Sequence, residues 1–201
     1  MDREQLNREV AAFFVQLDEI YGHYLDSTLG FDAIHARFAE IQERAKRDNP
    51  EIDFDERHIY LGTGAPDDPA TVIQHRATQG EFKRRNAPDG ANHVRAAQLL
   101  VVLIFAFWES RYRASIASGI GIDPSDLKVP ILGDLRRLRN DIVHCAAIVQ
   151  GETSAKLEVL NQMKAGQPII LYRDDVLHLV QLLKASISQL LTGLHVGPDR
   201  S

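Results

Sequence analysis

The chain has 201 residues, 44% of them hydrophobic and 25% charged, with a net charge of −5 and one cysteine. That apolar content is enough to bury a core, so wholesale disorder is excluded. The lone Cys145 excludes a disulfide scaffold and a zinc site built from cysteines, and it agrees with a reducing cytoplasm.

The N-terminal stretch MDREQLNREV is charged and lacks the apolar segment of a signal peptide, so no targeting segment is expected. Over residues 3–26, Val10, Phe13, Phe14, Leu17, Ile20, Tyr21 and Tyr24 recur at helical spacing. Gly30 is a candidate break, after which Ile34, Phe38 and Ile41 resume the period to about Lys46. Asn49-Pro50 marks the stop. One long helix or two collinear ones are expected.

Residues 50–90 carry four prolines and four glycines. They read as a long irregular insert, with room for a short extended piece at His58–Leu61. So long a loop is expected to wrap the core or border a site. Helix resumes from about Asn92 to about Ser118, with Gly119 and Gly121 as terminators. Its apolar run Leu99–Trp108 is ten residues long, too short to span a bilayer, and reads as the buried centre of a core helix. Trp108, Phe105 and Phe107 are expected to be core aromatics.

Pro130 then opens a helix reaching about Val149, and a shorter helix is expected over 152–165. Pro168–Tyr172 looks extended. Asp174 or Asp175 caps a last helix to about Leu194, with Val176, Leu179, Leu183, Ile187, Leu190 and Leu194 as its apolar stripe. The expectation is an all-α bundle with a looped insert and room for one short strand or hairpin. It is read as one domain over 1–201: a helical extension and looped segment over 1–89, then a helical core over 90–195.

Charge is uneven. Residues 1–58 hold fourteen acidic and seven basic side chains, whereas residues 76–113 hold seven basic and three acidic. An acidic chain with one basic region does not suit a general nucleic-acid coat, but it suits a local anionic ligand.

The most informative segment is LRRLRNDIVH, Leu135–His144. On a helical wheel Ile131, Leu135, Leu138, Ile142 and Ala146 form the core stripe, and His144 lies opposite it. Asn140 sits one turn before His144 and Arg136 one turn before that, with Arg139 on the flank. A satisfied core histidine is therefore disfavoured, and a plain surface histidine is the bland alternative.

Arg139-Asn140-Asp141-Ile142-Val143-His144 resembles the Arg-Asn-x-x-x-His motif of the HEPN superfamily. The preceding apolar run, followed by Trp108-Glu109-Ser110-Arg111-Tyr112-Arg113, looks like a second helix of such domains. A second arginine and histidine at the same spacing, Arg173 and His178, straddles a helix start and lacks the asparagine. The resemblance covers residues 90–195 and leaves 1–89 unexplained.

It implies a small helical domain, commonly homodimeric, many of whose relatives are metal-independent ribonucleases of toxin–antitoxin, phage-defence or RNA-processing systems. His144 would then be the acid/base and Arg139 the phosphate clamp. Asn140 would orient one of them, with Asp141 and Glu109 in support. Arg111, Arg136 and Arg137 would bind RNA. The products would be 2′,3′-cyclic phosphate and 5′-OH ends, with no metal and no cofactor. RNA, a second copy and an antitoxin or regulatory protein are the implied partners, and no membrane. The alternative is a silent HEPN-like module that binds nucleotide, RNA or a protein.

One geometric difficulty stands. Five residues separate Arg139 and His144, about 140° around an ideal helix. Either a π-bulge distorts the helix, or a two-fold dimer completes the site. Glu109 has two readings, a surface ion pair with Arg113 or a support for Arg139 or Arg111. Asp141 is expected to pair with Arg137, another arginine or a partner subunit. Leu61-Gly-Thr-Gly64 reads as a turn, Asp67-Asp68 as a loop rather than a metal site, and the remaining histidines show no metal spacing. Cys145 adjoins His144 in sequence, so a Cys–His dyad is not expected.

Overall fold

A computed structural model describes residues 3–65 and 68–193 of the chain. The protein is mainly helical, with one two-stranded antiparallel sheet. Contacts divide it into two units: the chain up to Leu25 together with the chain from Ala96, and Asp26–Arg95 between them. Asp67 and Leu194 lie outside the described residues.

Helix α1 runs unbroken over Arg3–Asp48. Gly30 does not interrupt it, although a glycine inside a helix costs about 1 kcal/mol relative to alanine. In the first unit α1 buries Leu6, Val10, Phe13, Leu17, Ile20 and Tyr24. These alternate in steps of four and three, the seam spacing of packed helices.

The same unit holds the long apolar helix and all that follows. Helix α3 spans Ala91–Phe107, a π turn occupies Trp108–Tyr112, and α4 runs over Arg113–Ile120. A π turn is wider than an α turn, so residues four apart stay aligned. Trp108 and Tyr112 thereby both meet the Phe13 ring, at 5.5 and 5.0 Å, while Glu109, Ser110 and Arg111 remain exposed. Gly119 does not end α4. It lets the helix approach Leu6, whose Cβ would lie 3.0 Å from an added methyl group. The terminator is Gly121, at φ +87°.

The apolar run of α3 is only half buried. Leu100, Val101, Ile104 and Trp108 face the core, but Leu99 is 53% exposed, Leu103 40% and Phe107 36%. Phe107 is thus a surface aromatic, and Phe105 is half-buried. The continuous helical stretch Ala91–Ile120 is long and apolar enough, by length and composition, to cross a bilayer, and 39% of its apolar window is buried in the protein.

Helix α5 spans Pro130–His144, α6 Gly151–Lys156 and α7 Arg173–Gly193. Two of these are shorter than the sequence suggests. α5 stops at His144 rather than Val149, and α6 has six residues instead of filling 152–165. Residues 147–149 instead pair with 166–169: Val149 N–H donates to the Gln167 carbonyl, Gly166 N–H to Val149, and Ile169 N–H to Ala147. Neither Asp174 nor Asp175 is the N-cap of α7. Asp175 lies in its first turn and accepts the Tyr172 N–H at 2.9 Å. The stripe Val176, Leu179, Leu183 and Ile187 is buried as expected.

The second unit contains more regular structure than an irregular insert. Strands β1 (His58–Thr63) and β2 (Val72–Thr78) pair antiparallel, followed by helix α2 (Gln79–Asn86). The expected extended piece at His58 is therefore the first strand of a hairpin. Leu61–Thr63 belongs to it rather than to a turn, and the register shifts at Leu61/Gly62, where a Cβ would lie 2.3 Å from the Val72 carbonyl oxygen.

Thr78 and Glu81 form a reciprocal capping box at the start of α2. The Thr78 N–H bond draws the Glu81 carboxyl below its ordinary range. The Lys83 ammonium binds Asp55 at 2.8 Å and Gln42 at 2.7 Å, and its hydrogen bond holds Asp55 below the usual carboxylate range.

After α2 the chain turns on Gly90. A methyl group there would lie 2.4 Å from the Arg84 carbonyl oxygen and 2.6 Å from that of Arg85. Neither backbone oxygen can retreat without opening the turn. Gly90→Ala is expected to cost about 1–3 kcal/mol in urea unfolding, as overpacking does; an unchanged midpoint would contradict this account of the turn.

Candidate functional site

Two buried aspartates hold α5 and its continuation. Asp134 is fully buried, and its carboxylate accepts the N–H groups of three consecutive residues, Glu158, Val159 and Leu160, at 2.8–3.1 Å. Arg137 approaches it at 3.7 Å from the helix surface. A buried carboxylate requires such donors, because desolvation otherwise penalises its charge. Nothing in the local sequence marks Asp134, since its partners lie some twenty-five residues away in a turn without regular structure.

Asp141 sets the end of α5. Its carbonyl oxygen accepts the N–H groups of both Cys145 and Ala147, each at 3.0 Å. Its carboxylate accepts the N–H of Gln150, the residue that precedes α6, at 2.9 Å. The expected pairing with Arg137 is replaced by this backbone bond. To close the turn, Ala146 and Ala147 both adopt left-handed backbone, at φ +52° and +59°. That region costs an L-residue roughly 1–2 kcal/mol. Ala146 is therefore exposed in a turn rather than part of the core stripe, whereas Ile131, Leu135 and Leu138 are buried as expected.

His144 is the last residue of α5 and is exposed. It continues the surface row Arg136–Asn140–His144, three exposed residues at successive turns. Arg139 lies on the flank, half-buried, and donates from its guanidinium to the Asn140 side-chain oxygen at 3.0 Å. Asn140 thus links the flank to the row. No π-bulge interrupts α5. The π turn lies in the preceding helical stretch, at Trp108–Tyr112. There Glu109 binds Arg113 through both carboxylate oxygens at 3.2 Å, and Arg111 stacks over the Tyr112 ring at 5.1 Å.

Two grooves flank Arg136 and Arg137. One, of about 500 Å³, is walled by Gly133, Arg136, Arg137, Asn140 and Asp141 of α5 and by Gln150, Glu152, Thr153 and Lys156. Lys156 lies 2.5 Å from Glu152 and lowers that carboxyl's pKa. The other, of about 410 Å³, adds Glu109, Arg113, Lys128 and Glu158. Arg139 and His144 wall neither groove, so the expected site residues divide between the grooves and the open end of the helix. Compared with protein-family models, curated proteins and solved structures, the chain matches none.

The arrangement offers a proton-transferring imidazole, a guanidinium and a side-chain amide on one helix end, beside a groove with three cationic side chains. Such a set suits an anionic ligand whose reacting group sits at the helix end. Replacing Ala146 by glycine should relieve the left-handed turn and raise stability by about 1 kcal/mol. A loss of stability in thermal unfolding would contradict the strain assigned to that turn.

Proposed function

We propose that the protein is a HEPN-like, metal-independent endoribonuclease acting through Arg139 and His144. The observation that carries this reading is the surface row Arg136–Asn140–His144, with Asn140 bonded to Arg139. RNA brings its own nucleophile, the 2′-OH. His144 takes its proton or returns one to the leaving 5′ oxygen, as an imidazole with an ordinary pKa near ~6.5 does at neutral pH. Arg139 faces the charge that builds on the phosphoryl oxygens, for which a planar guanidinium is fitted. Asn140 orients Arg139. The products are a 2′,3′-cyclic phosphate and a 5′-OH.

The 140° separation on a regular helix makes a second copy part of this proposal. The exposed Leu99, Leu103 and Phe107 on α3 and Val143 on α5 supply apolar surface for a homodimer. Two copies then present four site residues to one RNA strand. A narrow substrate fits the net charge of −5 better than broad RNA binding does.

A binding module is the second reading, favoured by one observation: the larger groove excludes Arg139 and His144. RNA cleavage in EDTA separates the two. Arg139→Ala and His144→Ala should each reduce the rate by about 10²-fold or more. Wild-type RNA binding without cleavage would favour the module, and equal cleavage by all three proteins would refute the site.

A further inference from the structure

The Asp26–Arg95 unit carries a second basic surface, set around strand β2 and helix α2. A broad, open groove of about 540 Å³ is walled by His75, Arg76, Ala77, Glu81, Arg84, Arg85 and Ala91. Three of these side chains are arginines and one is a carboxylate, and that carboxylate accepts the Thr78 N–H of the α2 capping box. Arg85 donates to the His75 ring nitrogen Nε2 at 2.7 Å, which orients the guanidinium at the groove wall.

Beside it, Tyr60 of β1 is 52% exposed and faces its cross-strand partner Arg76, whose guanidinium stacks over the ring at 5.4 Å. His58 lies along the same face, its ring 6.3 Å from Tyr60 and nearly parallel. An exposed aromatic face among arginines costs solvation without helping a core. The same pairing is what single-stranded nucleic acid uses, with stacked bases on aromatic rings and phosphates on a cationic groove. An acidic peptide would use the arginines but would have no use for the Tyr60 face.

We infer that this surface docks single-stranded RNA, with Tyr60 and His58 stacking bases and Arg76, Arg84 and Arg85 contacting phosphates. The inference rests on the reading that the chain acts on RNA, and it assigns the hairpin unit the task of holding the strand. The groove walls carry no acid/base pair suited to cleavage, so its contribution is affinity. Stacking tolerates any base, so sequence preference at this surface is weak.

The test is binding of a fluorescent single-stranded oligoribonucleotide to the full-length His144→Ala protein, read by anisotropy over a salt series. Using this background keeps the result independent of cleavage. Arg76→Gln/Arg84→Gln/Arg85→Gln should weaken binding by at least about 10-fold and lower the salt slope by about 2. Tyr60→Ala should weaken it by about 5-fold or more, and Tyr60→Phe should not. The matching Arg→Lys triple variant, which keeps the charge, should retain most of the affinity and exclude a folding defect as the cause.

Failure of wild type to cleave RNA would bear on Arg139 and His144 alone. Unchanged RNA affinity in the glutamine variant, or no RNA binding at all, would overturn the docking surface. Polyglutamate binding as tightly as RNA, with the same dependence on the arginines, would overturn it in favour of an acidic protein partner.

Discussion

The position of His144 depends on Asp141. That one residue stops α5 with its carbonyl oxygen, by accepting two successive turn amides, and starts α6 with its carboxylate. Without it nothing prevents α5 from continuing along its own periodicity, which the sequence would allow as far as Val149. With it, the helix ends on an exposed histidine and the chain doubles back through two left-handed alanines. Strain of this kind persists where surrounding structure over-determines it, and such places cluster at functional sites. Here the surrounding structure is the pairing of 147–149 with 166–169.

Asp134 performs the complementary task one helical stretch earlier. It anchors the turn that follows α6 to the middle of α5 through three backbone amides. The two aspartates face the inside of their unit, while Arg136, Asn140 and His144 face out. The same helix therefore carries its fastening on one side and its cationic, titratable groups on the other. Arg137 stands between the two sides, 3.7 Å from Asp134 and part of both groove walls. Fixing the helix through buried acids leaves the surface arginines available to an anionic ligand rather than to structural ion pairs.

Much of this was legible in the residues. Helical spacing placed α1, α3, α5 and α7, and the wheel placed His144 on the exposed side, because burial of a single apolar stripe writes a period into the sequence. The failures share a cause. The end of α5, the second strand Val72–Thr78, the shortness of α6 and the role of Asp134 are all decided by hydrogen bonds to distant backbone groups, which leave no local period. Strand β2 is almost wholly exposed, so it shows no alternation of apolar and polar residues. Leu99, Leu103 and Phe107 misled in the other direction, since an apolar helix face reads as core whether or not this chain covers it. For the site, the row of Arg136, Asn140 and His144 was readable, but the bond between Arg139 and Asn140 was not.

Cleavage chemistry is the most direct test of the central claim, that a helix-end imidazole and guanidinium turn the RNA's own 2′-OH into the nucleophile. The measurement is mass analysis of the termini left on a defined RNA after digestion by wild-type protein in EDTA. The account predicts 2′,3′-cyclic phosphate and 5′-OH ends, and no scission at a position whose 2′-OH is replaced by hydrogen. Products with 5′-phosphate and 3′-OH ends would contradict it, because water and not the 2′-OH would then have attacked.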